Sequence, residues 1–183
     1  MPYEMDAVGR IDMIGLTYGE HLIIWGLRRI VTWRGADGLF LDECLYAFGD
    51  DGADAVGTFC VFLRLLGRAA WKTFEIGPPG ALALTRDERQ ILTLLAAAQM
   101  DDDSGGKESG GQARLDAHLR WIAAPVHRAA LAQATLSLAQ LLAAHGHRFP
   151  LDAPSGPTYS DDTTMATRRF CSSSLPVLPV TTG

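Results

Sequence analysis

Residues 84–99 read LTRDERQILTLLAAAQ, and this stretch decides the fold class. Thr85 and Glu88 stand three apart, the spacing of a capping box in which each side chain satisfies a backbone N–H left free at a helix start. Asp87 and Glu88 also put negative charge at the positive end of the helix dipole. Ile91, Leu92, Leu94, Leu95 and Ala98 then recur at intervals that keep one side of a helix apolar. The pattern predicts a helix that stops near Met100.

Upstream, residues 72–84 read KTFEIGPPGALAL. Pro79 at the second position and Gly80 at the third suit a type II turn. A small β-hairpin and an irregular connector both fit the flanks. Before that, a helix over residues 53–70 is predicted from Val56, Phe59, Cys60, Leu63 and Leu66, with Phe62 and Leu65 widening its apolar face. A short helix over residues 39–48 places Leu41, Leu45 and Phe48 on one side, joined by Cys44. Asp37 caps it and Gly49 ends it. A helix over residues 18–33 carries Leu22, Ile23, Trp25, Leu27, Ile30 and Val31 on more than one face, so it should be well buried. Gly35 is its expected stop.

Downstream, residues 101–111, DDDSGGKESGG, hold no apolar side chain and are expected to form a flexible surface loop. A helix resumes near Gln112 with Leu115, Leu119 and Ile122, and Trp121 beside them. Pro125 either ends it or sits in the first turn of the next. The last helix, residues 125–144, has its stripe on Val126, Ala130, Leu131, Ala134, Leu138, Leu141 and Leu142, with Gly146 beyond its end. From Pro150 the chain turns rich in Pro, Ser, Thr and Gly and should be disordered, with at most one helical turn near residues 164–170.

The expected fold is mainly α: an irregular, mostly orthogonal bundle of five or six helices with room for one small hairpin. An N-terminal arm (residues 1–17), a helical domain (18–149) and a disordered tail (150–183) divide the chain. The expected core includes Leu22, Trp25, Leu45, Phe59, Leu63, Leu66, Ile91, Leu95, Leu119, Leu131, Leu138 and Leu142.

At 183 residues, 48% hydrophobic and 20% charged, the chain can bury a core without disulfides or metal. Its net charge of -5 argues against nucleic acid as a partner, because phosphate contacts need clustered Lys and Arg. Of its 16 basic residues only Lys72 and Lys107 are lysines, a bias typical of a GC-rich bacterial genome. No export signal and no apolar run of about 18 residues is visible, so a cytoplasmic protein without a membrane span is expected.

Candidate chemistry is sparse. Cys44, Cys60 and Cys171 form no C-x-x-C pair, and the first two read as small buried hydrophobes. His118 and His127 have no metal-ligand spacing, and His145 and His147 at a helix end would need a third ligand. Glu20 and His21 are adjacent on a helix and so point apart. His21 is expected to pack at the buried edge of the bundle or to bind a partner carbonyl, as a polar site. GGKESGG follows a helix, not a strand, and is no phosphate loop. Arg64 and Arg68 share a helix face; if that face met the end of the first helix, Arg28 and Arg29 would join them to receive an anion or an acidic partner. No catalytic, cofactor or metal-ligating set is assigned, and no cofactor is expected.

LTRDERQILTLLAAAQ resembles the opening helix of the helix-turn-helix in quorum-sensing-type response regulators. That resemblance implies DNA binding, but the recognition helix that should follow is replaced here by the acidic DDDSGGKESGG. More broadly, HLIIWGLRR, the GPPG turn with the helix after it, and HLRWIAAPVHRAALAQATLSLAQLLAAHG resemble a small alphaproteobacterial helical family, a domain of unknown function. This resemblance covers residues 18–149 and implies no activity. The expectation is a non-catalytic helical interaction or regulatory protein that binds a protein partner or itself. A DNA-binding regulator and a small helical enzyme with a pocket between helices are the alternatives.

Overall fold

The computed structural model describes residues 13–103, 110–150 and 168–170. Among these, six α-helices run in order: α1 (Tyr18–Trp33), α2 (Gly38–Phe48), α3 (Gly52–Ala69), α4 (Arg86–Asp103), α5 (Gly110–Ile122) and α6 (Arg128–Ala144). Two short strands, β1 (Phe74–Ile76) and β2 (Arg168–Phe170), and three 3-10 turns, Met13–Gly15, Gly49–Asp51 and Pro125–His127, complete the set, so the expected last helix opens as a 3-10 turn at Pro125. The fold is mainly α.

Two capping boxes start the helices that hold the centre together. The Thr85 N–H donates to Glu88 at 2.8 Å and the Glu88 N–H donates to the Thr85 hydroxyl at 3.1 Å. Thr17 and Glu20 repeat the arrangement at the head of α1. Leu22, Ile23, Ile24, Leu27, Ile30 and Val31 of α1 are all buried. At 100° per residue they point around most of the helix, so α1 is enclosed by its neighbours. Trp25, expected in the core, is only partly buried. The left-handed residue that ends α1 is Arg34 (φ 59°), not Gly35. Both the Arg34 and Gly35 N–H groups fold back onto the Ile30 carbonyl, which offsets the roughly 1 kcal/mol that a side chain costs in this conformation.

The apolar face of α2 is not the expected one. Phe40, Cys44 and Phe48 are buried, while Leu41 and Leu45 face outward. Ring volume decides the register. Phe40 stacks against Phe59 of α3 at 5.3 Å and fits where α1 has no side chain: a Cβ at Gly26 would lie 2.4 Å from the Phe40 ring. Rotating α2 to bury Leu45 would leave that notch empty and lose aromatic burial.

α3 packs against α2 and α6, and α4 against α5 and α6. The remaining expected core residues, from Phe59 to Leu142, are buried. α4 runs on through Asp103 and α5 begins at Gly110, so residues 101–103 are helical rather than part of a loop. No Gly or Pro intervenes before Gly105, and Asp costs a helix only a fraction of a kcal/mol. Residues 104–109, the centre of that expected loop, lie outside the described residues.

The type II turn forms: the Ala81 N–H donates to the Pro78 carbonyl at 3.1 Å and Gly80 has φ +84°. The hairpin does not. β1 pairs antiparallel with β2, Phe74 opposite Phe170 and Ile76 opposite Arg168. The carbonyls of Ala81 and Ala83 beyond the turn accept from Arg28 instead of completing a ladder. Residues 168–170 are therefore strand, not a helical turn or disordered chain. The other calls on the tail from residue 151, and on the arm before residue 13, lie outside the described residues.

Candidate functional site

The expected gathering of arginines is undone by Arg28. Its Nε and Nη2 donate to the two carboxylate oxygens of Glu88 at 2.7 and 2.8 Å, and both side chains are buried. The guanidinium also donates to Ala81 and Ala83 carbonyls, while Glu88 accepts the Gly77 N–H at 3.0 Å. A Cβ at Gly77 would sit 3.0 Å from the Arg28 guanidinium, so the turn must pass there without a side chain. Arg28 thus bolts α1 to α4 through the 77–83 loop, with four of its five N–H donors used internally and its side chain buried away from any external anion. Beside it, Asp87 holds Lys72 and accepts the Glu75 N–H at 2.8 Å. Both acids of the LTRDER motif are therefore engaged inside the fold.

Arg29 is held by Asp37 and lies over the Trp33 ring, 4.7 Å from its centroid. The hydrogen bond from Arg29 holds the Asp37 carboxyl below its ordinary range, and the same bond raises Arg29. Arg64 is half-buried and Arg68 exposed, and neither forms an ion pair among the described residues. Arg28 and Arg29 are therefore each committed to a separate internal partner. His21 is exposed rather than at a buried edge. Its position on α1 turns it away from the enclosed face.

His145 and His147 do approach each other's surroundings. Both rings stand edge-on to Phe48, at 5.3 and 5.4 Å, with His145 Nε2 3.1 Å from Asp51 and His147 Nε2 3.3 Å from the Ala47 carbonyl. They fasten the end of α6 to the α2–α3 corner. Among the described residues no three His, Cys, Asp or Glu side chains group as metal ligands. Burial pushes the Cys44 thiol up to about 12, so it stays protonated at neutral pH. Every buried side-chain nitrogen and oxygen among the described residues has a hydrogen-bond partner.

Two surfaces missed by the sequence reading stand out instead. The first is the outer side of α2. Leu39 is 60% exposed, Leu45 43% and Tyr46 83%, with Leu41 beside them. At 100° per residue, positions 41, 45, 42, 46 and 39 occupy one continuous arc. The face continues onto α1 through Tyr18, whose ring meets Tyr46 at 6.3 Å and whose hydroxyl donates to Glu43 at 2.6 Å. Burial and that bond raise the Tyr18 hydroxyl well above its ordinary value. No basic residue occurs between Gly35 and Leu63, whereas Asp37, Asp42, Glu43, Asp50, Asp51 and Asp54 do. The signal was present in the letters: an 11-residue helix with apolar residues on every side.

The second surface lies where α3 and α5 end together. Ala70 bridges Ala123, and the Ala124 N–H donates to the Ala69 carbonyl at 2.9 Å. Trp71 is 59% exposed and Trp121 46%. Lys72 lies 4.6 Å and Arg86 5.7 Å from the Trp121 ring centre, and Arg128 lies 5.9 Å from that of Trp71. This end is aromatic and basic. Its residues are scattered through the sequence, and nothing in their spacing marks them as neighbours.

No protein family, curated protein or solved structure matches this chain. No helix among the described residues is long and apolar enough to cross a membrane.

Proposed function

We propose that this chain is a non-catalytic helical interaction protein whose contact surface is the outer side of α2. The observation that carries the reading is that α2 leaves Leu39, Leu41, Leu45 and Tyr46 in solvent as one patch, although its opposite side is fully covered. Single exposed leucines are ordinary, but three leucines and a tyrosine gathered on one helix face, with Asp42 set among them, are characteristic of a binding surface. The groups able to do chemistry support the same reading, because Arg28, Glu88, Asp87 and Gln99 are consumed in holding helices and loops together.

A photo-crosslinking side chain at position 46, in the full-length protein expressed in its source cells, tests this reading. A discrete protein adduct is expected, lost when Leu45→Arg is added, with no adduct from exposed Gln133 on α6. No adduct at position 46, or the same adducts from both positions, would overturn it.

A further inference from the structure

The proposal of a contact surface on α2 leaves open what covers it, and the opposite end of the molecule supplies a candidate of matching chemistry. The start of α3 lies directly against α2: a Cβ at Gly52 would be 2.6 Å from the Leu45 Cα. The end of α3 leads into Trp71 and Lys72. Eighteen residues of helix separate the two, about 27 Å at 1.5 Å per residue. The acidic, apolar face and the basic, aromatic face therefore stand near opposite ends of one rigid helix. The acids sit at its N-terminal end and the cations at its C-terminal end, each complementing the α3 dipole.

We infer that the α2 face of one copy of this chain receives the Trp71–Trp121 end of a second copy, so that the protein associates head to tail. The inference rests on the reading of α2 as a contact surface. Two indole rings supply apolar area for Leu39, Leu45 and Tyr46, the residue classes that concentrate binding energy at interfaces. Arg86 and Arg128, with Lys72 already held by Asp87, would meet Asp42 on the α2 face and the exposed Asp50 and Asp54 around the start of α3. The acids on the basic side are Asp87, already tied to Lys72, and exposed Glu75. Pairing two α2 faces with each other is disfavoured, because it would set one acidic rim against another with no cation to separate them. A heterologous contact of this kind does not close on itself after two copies, so it extends into a ring or a chain.

The test uses purified full-length protein in sedimentation velocity experiments across a concentration series. The wild type is expected to exceed its monomer mass of 19.7 kDa at low ionic strength. Association should weaken about tenfold as the Debye length shrinks from about 30 Å to about 8 Å. Asp42→Arg spoils only the α2 face. Arg86→Glu spoils only the aromatic end and keeps a residue that suits the first turn of α4. Each variant alone should be monomeric with an unchanged helical circular dichroism spectrum. Their equimolar mixture should associate again, since each supplies the face the other lacks. A wild type that stays monomeric throughout, an Arg86→Glu protein that still self-associates, or a mixture that remains monomeric would each overturn the inference. If the wild type is monomeric while position 46 still crosslinks to a different protein, the α2 contact surface stands and only the identity of its occupant falls.

Discussion

α1 and α2 are both strongly apolar helices, each opened by a side-chain cap, yet they end in opposite situations. α1 has buried residues around most of its circumference and leaves only a narrow strip, with His21 on it, in solvent. α2 buries a single line, Phe40, Cys44 and Phe48, and leaves the remaining leucines in water. The contrast shows that apolar composition measures how much surface a helix has to cover, not where the cover comes from. α1 has a buried ion pair, Arg28 with Glu88, that brings α4 and a loop against it. α2 meets α1 through the Phe40–Gly26 notch and packs on α3, and its other side keeps Leu39, Leu45 and Tyr46 exposed.

Breaking the α1 side should have the largest consequence. Glu88→Ala would leave the Arg28 guanidinium buried without its counter-charge and remove the acceptor for the Gly77 N–H, so a loss of about 3–5 kcal/mol in urea unfolding is expected. A loss below about 1 kcal/mol would mean that water reaches Arg28 and that the junction is not closed. Replacing the pair together, Arg28→Met with Glu88→Leu, should recover much of the loss, because no isolated charge remains.

The two sides of α2 should separate next. Phe40→Ala is expected to cost about 3–5 kcal/mol by emptying the space between Gly26 and Phe59. Leu45→Ala should change monomer stability by no more than about 0.5 kcal/mol. Equal effects at both positions would erase the distinction between the two faces. At the helix start, Asp37→Ala should cost about 1 kcal/mol, since it removes the acceptor of the Phe40 N–H as well as the partner of Arg29.

The smallest expected effect is a pH dependence far from both helices. His118 Nδ1 accepts from the Gln90 side-chain amide at 2.8 Å, and burial, with Arg114 nearby, holds its pKa below the ordinary histidine value. The unfolded chain then binds a proton at a higher pH than the folded one. Stability from this group is complete above about pH 6.5 and declines as pH falls toward the depressed folded value. A melting temperature that drops slightly over that window in the wild type, and less in His118→Gln, would agree. A rise on acidification would reverse the sign and contradict it.

Much of the architecture was readable in one dimension. The start of α1 at Tyr18, the caps at Asp37 and Thr85, the turn at Pro79 and Gly80, and most of the buried stripes of α3 to α6 (Val126 and Ala130, expected in the last stripe, are exposed) depend on residues within about one or two helical turns of one another. Local hydrogen bonding and 3.6-residue periodicity act at that range, so the letters suffice. The misreadings share the opposite property. Which face of α2 is buried depends on Gly26 and Phe59. The fate of β1 depends on residues 168–170, and that of Arg28 on an acid 60 positions away. The aromatic, basic end assembles from residues 71, 72, 86, 121 and 128, which become neighbours only after α3 and α5 have met.

The sequence by itself therefore determined that this protein is a set of capped, mostly amphipathic helices and where nearly all of them begin and end. Only the tertiary structure decided which apolar faces find a cover, which charges are consumed internally, and which are left together at the surface. The physical reason is range. Backbone capping and helical periodicity are settled by near neighbours along the chain, whereas burial and charge pairing are settled by whichever distant side chains packing brings within a few ångströms.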